Sequence, residues 1–487
     1  MFILAALMWS GMRWCRRLLR LMIRLIGTNK IKFILGIILV FLISYILGVD
    51  LFIPIYLAVL FAYLKFSYKD LSLQRFKFLN INLLFVMSFV TAYFIIKQGW
   101  PVYYIPFCII PMLTTILFAQ LQISLLITLA SCIAIASIAG NNLYLGVLFL
   151  ISGISSSLLV MNIRRRMAII SAGFIVGLLQ ALTLFFIDRF QIQDSINYIV
   201  LILNAIVSSI IVVGILPVFE YLFKTVTNIS LLELTDFNHS LLQRLILEAP
   251  GTYHHSLVVG NLSESGCRAV GANALLARVG GYYHDIGKLE KPGYFSENYE
   301  SDKSKHDTLA PTMSKLVIIN HVKEGVELAR KYKLNPSLID FIVQHHGTSL
   351  VYYFYRRALE NLEEHQEIKE EGFRYPGPKP NTKETAVVLL ADSVEAATRA
   401  LKELTPANIQ EVVHKIINNK FIDGQLDECD LTLKDLEKIS AAFIRILSGI
   451  YHSRITYPER TKESENNHKK SPKESLNPSE KDKKDSP

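Results

Sequence analysis

ANALLARVGGYYHDIGK, residues 272–288, joins an apolar run of helical spacing to a His-Asp pair, His284–Asp285, and a lysine three residues on. Such a dipeptide alone is a weak signal, and a second copy stands at His306–Asp307. Its neighbourhood is more informative. Moving outward, the chain reads TYHHS (His254, His255), NHV (His321), QHHGT (His345, His346) and LADSVEAA (Asp392). The ordered set His, His-Asp, His, His-His, Asp therefore spreads over residues 255–392, in a region of helical pattern with little strand alternation. A helical bundle that turns imidazole and carboxylate groups inward from several helices is a common way of holding a pair of metal ions. Imidazole with carboxylate and no thiolate suits iron, manganese or similar first-row ions.

The rest of the chain frames this region. Of 487 residues 51% are hydrophobic and 19% charged, but the two classes separate. Residues 31–223 are almost continuously apolar and the remainder reads as a water-soluble domain, so one globular core is excluded. The expected fold class is all-α: a polytopic transmembrane bundle followed by an all-helical soluble domain. The expected organisation is a basic N-terminal segment (1–30), a transmembrane region (31–223), a connector (224–249), the His-rich domain (250–458) and a disordered, apolar-poor tail (459–487). Five scattered cysteines, with no CxxC, suggest neither a disulfide framework nor a thiolate zinc site.

Spans are expected near 31–49, 51–66, 78–96, 102–119, 121–139, 143–161, 168–187 and 197–218, eight in all with a range of six to eight. Arg13, Arg16, Arg17, Arg20 and Arg24 precede the first, Lys65, Lys69, Arg75 and Lys77 follow the second, Arg164–Arg166 follow the sixth and Lys224 the eighth. Positive charge is retained on the cytoplasmic side, so both termini are expected there. No Asp, Glu, Lys, Arg or His occurs in 102–161, 168–187 or 197–218, which favours an anchor or sensor over a conduit. Segment 1–28 reads equally as an interfacial amphipathic helix or a topogenic flank. A cleaved signal peptide is disfavoured, because the basic cluster follows the first apolar run. In the connector, Leu241, Leu242, Leu245 and Ile246 recur at helical spacing, and Asp236–Asn238 offers a capping signal.

The phrases EAPGTYHHSLVVGNLSE, ANALLARVGGYYHDIGK, IINHVKEGVELA, DFIVQHHGTSLVYYFYRRA and FRYPGPKPNTKE carry a specific resemblance. The region looks like an HD-superfamily phosphohydrolase, and within that group like the seven-transmembrane HD-type cyclic di-AMP phosphodiesterases; the apolar half resembles that family's membrane region from about residue 78. The resemblance implies hydrolysis of cyclic di-AMP to linear pApA at two divalent ions, manganese or iron. It implies that His255, His284, Asp285 and Asp392 hold one ion and Asp285, His321, His345 and His346 the other, with Asp285 bridging and catalytic. It also implies a phosphate contact for Lys288 and a catalytic role for it beside Asp285. Arg399, two helical turns after Asp392, reads as a phosphate contact or a salt bridge. Tyr352 and Tyr355 in VYYFYRRA are candidates to stack on adenine, and Arg374 and Lys379 in FRYPGPKP to approach phosphate. His254 points away from its neighbour's face, and His306–Asp307 reads as a helix start where Asp caps.

The family typically carries a large extracytoplasmic domain between its first two spans, whereas only Val49 and Asp50 separate the first two apolar runs here. Rival substrates are cyclic di-GMP, a guanosine tetraphosphate alarmone and single-stranded RNA. Gly347–Thr348 after the His pair departs from the HHE…GYP pattern of the cyclic di-GMP branch, and no GXXG nucleic-acid unit appears in 219–250. No stable nucleic-acid partner is expected. No Gly-rich phosphate loop points to ATP. The lipid bilayer is the expected partner of the apolar half, and a homodimer is left open. A different class of rival is a metal-binding membrane receptor or scaffold without hydrolysis.

Overall fold

The computed structural model describes residues 77–298, 305–360 and 368–451. The N-terminal segment, the spans expected at 31–49 and 51–66, and the tail 459–487 lie outside them. Among the described residues the protein is helical, with no strand and one isolated antiparallel bridge, Leu350 to Arg374.

The apolar half contains α1 (Lys77–Lys97), α2 (Ile109–Phe118), α3 (Leu121–Ile138), α4 (Leu143–Leu159), α5 (Arg166–Ile187) and α6 (Ser195–Phe223). Four of these, α1, α3, α5 and α6, are long and apolar enough to cross a membrane. The span expected at 102–119 is interrupted. A 3-10 turn at Val102–Tyr104 precedes α2, which has only 10 residues, about 15 Å at ~1.5 Å per residue. Pro106 lies in the break; it has no amide hydrogen and pushes Ile105 towards extended backbone.

Side-chain orientation in this bundle is that of a protein in lipid. Leu178, Leu182, Phe186, Leu203 and Ile210 face outward, while the polar groups turn inward. Ser124 exchanges hydrogen bonds with Thr114, Thr115 and Ser157, and Gln180 donates to Ser152 at 2.8 Å. Inside a bilayer water cannot satisfy such groups, so helices satisfy one another. α5 meets α6 through Gly173 and Gly177. A Cβ on Gly173 would lie 2.8 Å from the Ala205 carbonyl oxygen, and one on Gly177 2.8 Å from the Ile202 Cα. Small residues permit this close backbone approach.

The chain leaves α6 at Lys224, in the left-handed region (φ 52°), and enters α7 (Asn228–Leu234) and α8 (Ser240–Glu248). Glu220, near the end of α6, accepts hydrogen bonds from the Thr227 and Ser230 hydroxyls, which fixes this turn. Arg166, at the start of α5, pairs with Glu233 of α7 at 2.7 Å. The pair is half exposed and contributes at most about 1 kcal/mol, but it places the Arg164–Arg166 cluster at the same end as the soluble domain. Leu231, Leu241, Leu242 and Leu245 are buried in the core of that domain, so the connector is packed into it. The capping expectation at Asp236–Asn238 is corrected: α8 has His239 at its N-cap, and the Asp236 carboxylate instead accepts from the Asn238 amide in a local turn.

The soluble domain packs α9 (Pro250–Ala269), α10 (Ala274–Tyr283), α11 (Pro311–Lys331), α12 (Pro336–Gln344), α13 (Tyr352–Glu360), α14 (Lys383–Arg399), α15 (Pro406–Ile422) and α16 (Leu433–Ile450). Proline opens α9, α11, α12 and α15, where its missing amide costs nothing. Asn273, Asn335, Thr382, Thr405 and Thr432 cap their helices through side chains. At the centre, α14 is buried continuously from Thr385 to Asp392 and packs against α9. Gly287 lets the 3-10 turn Ile286–Glu290 lie on α11, since a Cβ there would stand 1.8 Å from the His321 carbonyl oxygen.

This hairpin of α5 and α6 makes sidedness testable. Reporter fusions after residues 165 and 225 are expected to signal the cytoplasm, and fusions near 98 and 192 the opposite side. Signals from 165 and 225 on different sides would contradict the packing of Arg166 on Glu233.

Candidate metal centre and its cleft

Five helices deliver the histidines and carboxylates to one place. His255 comes from the middle of α9. α10 stops at Tyr283, with His284 as its C-cap, and the chain tightens into the 3-10 turn so that Asp285 follows into the interior. His321 comes from α11, His345 and His346 from the end of α12, and Asp392 from α14. All but His346 are buried.

These side chains form two groups, His255, His284, Asp285, Asp392 and Asp285, His321, His345, His346; within each, the ligand atoms lie within 4.8 Å of one another. Asp285 belongs to both. Its Oδ2 faces His284 at 3.2 Å and His255 at 3.6 Å, while its Oδ1 faces His321 at 3.4 Å and His345 at 3.5 Å. Rear nitrogens are already engaged: Nδ1 of His284, His321 and His345 meets the backbone carbonyls of Gly281, Ile318 and Ile342 at 2.7, 2.5 and 2.9 Å. That leaves Nε2 of each directed at the centre. His284 Nε2 and Asp285 Oδ1 are buried without a hydrogen-bond partner, and His321 Nε2 lies 3.2 Å from His345 Nε2. Orphaned buried polar atoms are costly, about 1–3 kcal/mol each, and call for a missing partner. The residues of both groups fit metal binding.

The electrostatics agree with that fit. Burial would raise Asp285, but Lys288 and His284 hold its carboxyl well below the usual range. Asp392 is likewise held down against burial, by His255 and His284. Burial would lower His284, yet Asp285 and Asp392 raise it to about 10. His321 falls to about 4, through burial first and then the nearby charges of His345 and Lys288, against the pull of Asp285. Burial and His345 also push His346 well down. Metal ligands must be deprotonated, so cation binding at this cluster would be coupled to pH.

A cleft of about 630 Å³ opens over the centre and includes His255, His321, His346 and Asp392 in its lining. Lys288 reaches it from the 3-10 turn, with Nζ 2.8 Å from Asp285 Oδ2 and 2.7 Å from Glu297 Oε1. Those two carboxylates raise its pKa, against burial. Arg399 also lines the cleft and approaches Glu297 at 4.0 Å. The other basic and aromatic candidates are not brought there. Arg374 is held by Glu370 at 2.6 Å and Asp423 at 2.9 Å, and Lys379 by Asp427 at 3.2 Å. Tyr352 points outward, and Tyr355 packs on Phe373, because the face of α13 turned to the cleft is that of Tyr353, Phe354 and Arg357.

His306 and Asp307 lie in a 3-10 turn, Lys305–Thr308, and line the cleft without joining either ligand group. Asp307 is not the cap expected: α11 has Ala310 at its N-cap, and Asp307 Oδ1 pairs with Arg357 at 3.4 Å. His254 is exposed, as its helical angle requires. Sequence reasoning missed Glu297, Tyr375, Glu395 and Lys420. Glu395 had a signal, standing one turn after Asp392 on the same helix. Glu297 lies in the short 3-10 turn Ser296–Asn298 and Tyr375 in an irregular segment, and Lys420 comes from α15, remote in sequence; its Nζ donates to Ser349 Oγ at 2.7 Å.

Comparison with known proteins gives two family matches: residues 43–227 fit "7TM receptor with intracellular HD hydrolase", and residues 252–397 fit the HD domain. The cyclic-di-AMP phosphodiesterase PgpH of Bacillus subtilis is 39% identical over 432 residues, 85% of this chain and 60% of that protein. The protein of the same name from Listeria monocytogenes is 41% identical over 319 residues, 64% of this chain and 44% of that one. This chain thus spans three fifths or less of the length of these relatives. The solved HD domain of the Listeria monocytogenes phosphodiesterase PgpH in complex with cyclic-di-AMP is 46% identical and covers 45% of this chain and 100% of its own, with a TM-score of 0.42. With residues 43–227 matched to the one model and residues 252–397 to the other, the chain is similar to 7TM receptors with an intracellular HD hydrolase across its apolar half and its soluble domain.

Proposed function

We propose that the protein is a membrane-anchored, metal-dependent phosphodiesterase that hydrolyses cyclic di-AMP to linear pApA, with its catalytic domain in the cytoplasm. The observation that carries this reading is the Asp285 carboxylate, whose two oxygens each face a separate set of ligands. The PgpH relatives, named for activity on cyclic di-AMP, support the choice of substrate. Their greater length makes that choice a proposal for this chain.

His255, His284, Asp285 and Asp392 would hold one divalent ion, and Asp285, His321, His345 and His346 the other. The nitrogen and oxygen donors suit manganese or iron. Bound there, such ions supply a water of lowered pKa at neutral pH and offset charge on the phosphoryl oxygens. The chain's own contribution is positioning. Lys288, fixed by Asp285, offers an ammonium to a phosphate oxygen, with Arg399 one step further along the cleft. Both face Glu297, which an incoming phosphate would have to replace as their partner. Tyr353, Phe354 and Tyr375 give the same cleft aromatic walls on which adenine can stack, an interaction worth about 1–3 kcal/mol per base in nucleic-acid sites.

Purified protein in detergent with manganese is expected to linearise cyclic di-AMP, and chelation should abolish turnover. Intact cyclic di-AMP alongside two equivalents of bound metal would favour a non-catalytic receptor, and preferential cleavage of cyclic di-GMP or RNA would replace the substrate. Metal analysis of variants tests the centre separately. Asp285→Ala is expected to lose both ions and nearly all turnover while keeping its helical signal. Asp307→Ala is expected to keep its metal content. Two ions retained in the Asp285 variant would contradict the shared-ligand assignment.

A further inference from the structure

Three of the proposed ligand histidines, His284, His321 and His345, rest their rear nitrogen on a carbonyl three residues back in their own helix or its cap. Any helical histidine can find such an acceptor. His255 differs. Its Nδ1 is hydrogen-bonded to the Glu395 carboxylate, while its Nε2 faces Asp392 Oδ1 at 3.1 Å and Asp285 Oδ2 at 3.6 Å. Glu395 is only 3% exposed and lies one turn beyond Asp392 on α14, so a single helix brackets the imidazole with carboxylates on both sides.

A buried carboxylate needs a hydrogen-bonded partner, and here His255 supplies it. Accepting from Nδ1–H fixes the tautomer and leaves the Nε2 lone pair facing the centre. It also makes the imidazole a stronger donor. The two ligand groups are unequal in charge as well. The group with His255 contains two carboxylates, Asp285 and Asp392, backed by a third; the group with His321, His345 and His346 contains only its share of Asp285.

We infer that Glu395 is a positioning residue for His255 that makes the metal position of His255, His284, Asp285 and Asp392 the tighter of the two. This rests on the two-metal reading above, and its test is chosen to fail separately. Full-length protein in detergent, stripped of metal, is titrated with manganese, following bound ion by calorimetry and by loss of the free-ion paramagnetic signal. Thermal unfolding of the metal-free forms controls for folding. Wild type is expected to bind in two steps. Glu395→Leu should weaken the tighter step about 10–100-fold, the usual effect of removing such a partner. Glu395→Gln, which can still accept from Nδ1–H, should fall between them, and the weaker step should stay put in both. Asp392→Asn identifies the step by weakening the same one.

Normal two-step titration in both Glu395 variants would overturn the inference, as would equal weakening of both steps, which a general packing role would give. Wild-type protein that binds no manganese would overturn it together with the metal reading itself.

Discussion

The site is organised around the carboxylate of Asp285, which is buried and shared between two sets of imidazoles. Its position depends on the chain changing from α-helix to 3-10 geometry at His284, so that consecutive residues enter the interior side by side. That turn in turn depends on Gly287, whose lack of a side chain lets it lie against the His321 carbonyl. A carboxylate so deep cannot stay charged without compensation. The surrounding histidines, Lys288 and the proposed cations are alternative ways of supplying it.

Much of this was legible because metal ligation constrains residue type more tightly than packing does. His255, His284, Asp285, His321, His345, His346 and Asp392 stand out in sequence, and the structure brings all seven together. The substrate candidates were harder, because Arg and Tyr serve many purposes. Arg374 sits in a suggestive loop, yet two nearby carboxylates hold it. In VYYFYRRA, composition pointed to aromatic contacts, but only the helix's packing decides that Tyr353 and Phe354 face the cleft while Tyr352 and Tyr355 do not. Asp307 looked like a cap, but the N-cap of α11 is Ala310, three residues later.

The membrane bundle and the soluble domain are joined more closely than a tether requires. Leucines of the connector complete the soluble core, Glu220 staples the connector to the last apolar helix, and Arg166 reaches it from the helix before. Asn335, at the start of α12, donates to the Thr225 carbonyl at 2.9 Å. α12 ends on His345 and His346, so one short helix runs from the membrane junction to the metal centre. The last two apolar helices therefore have a covalent and packed route to the ligands.

The most direct measurement is anomalous diffraction from crystals of the manganese-loaded protein. The account predicts two peaks flanking the Asp285 carboxylate, about 3.5–4 Å apart as in other two-metal sites, one beside His255 and Asp392 and the other beside His321 and His346. A single peak, or peaks that Asp285 does not touch, would contradict it.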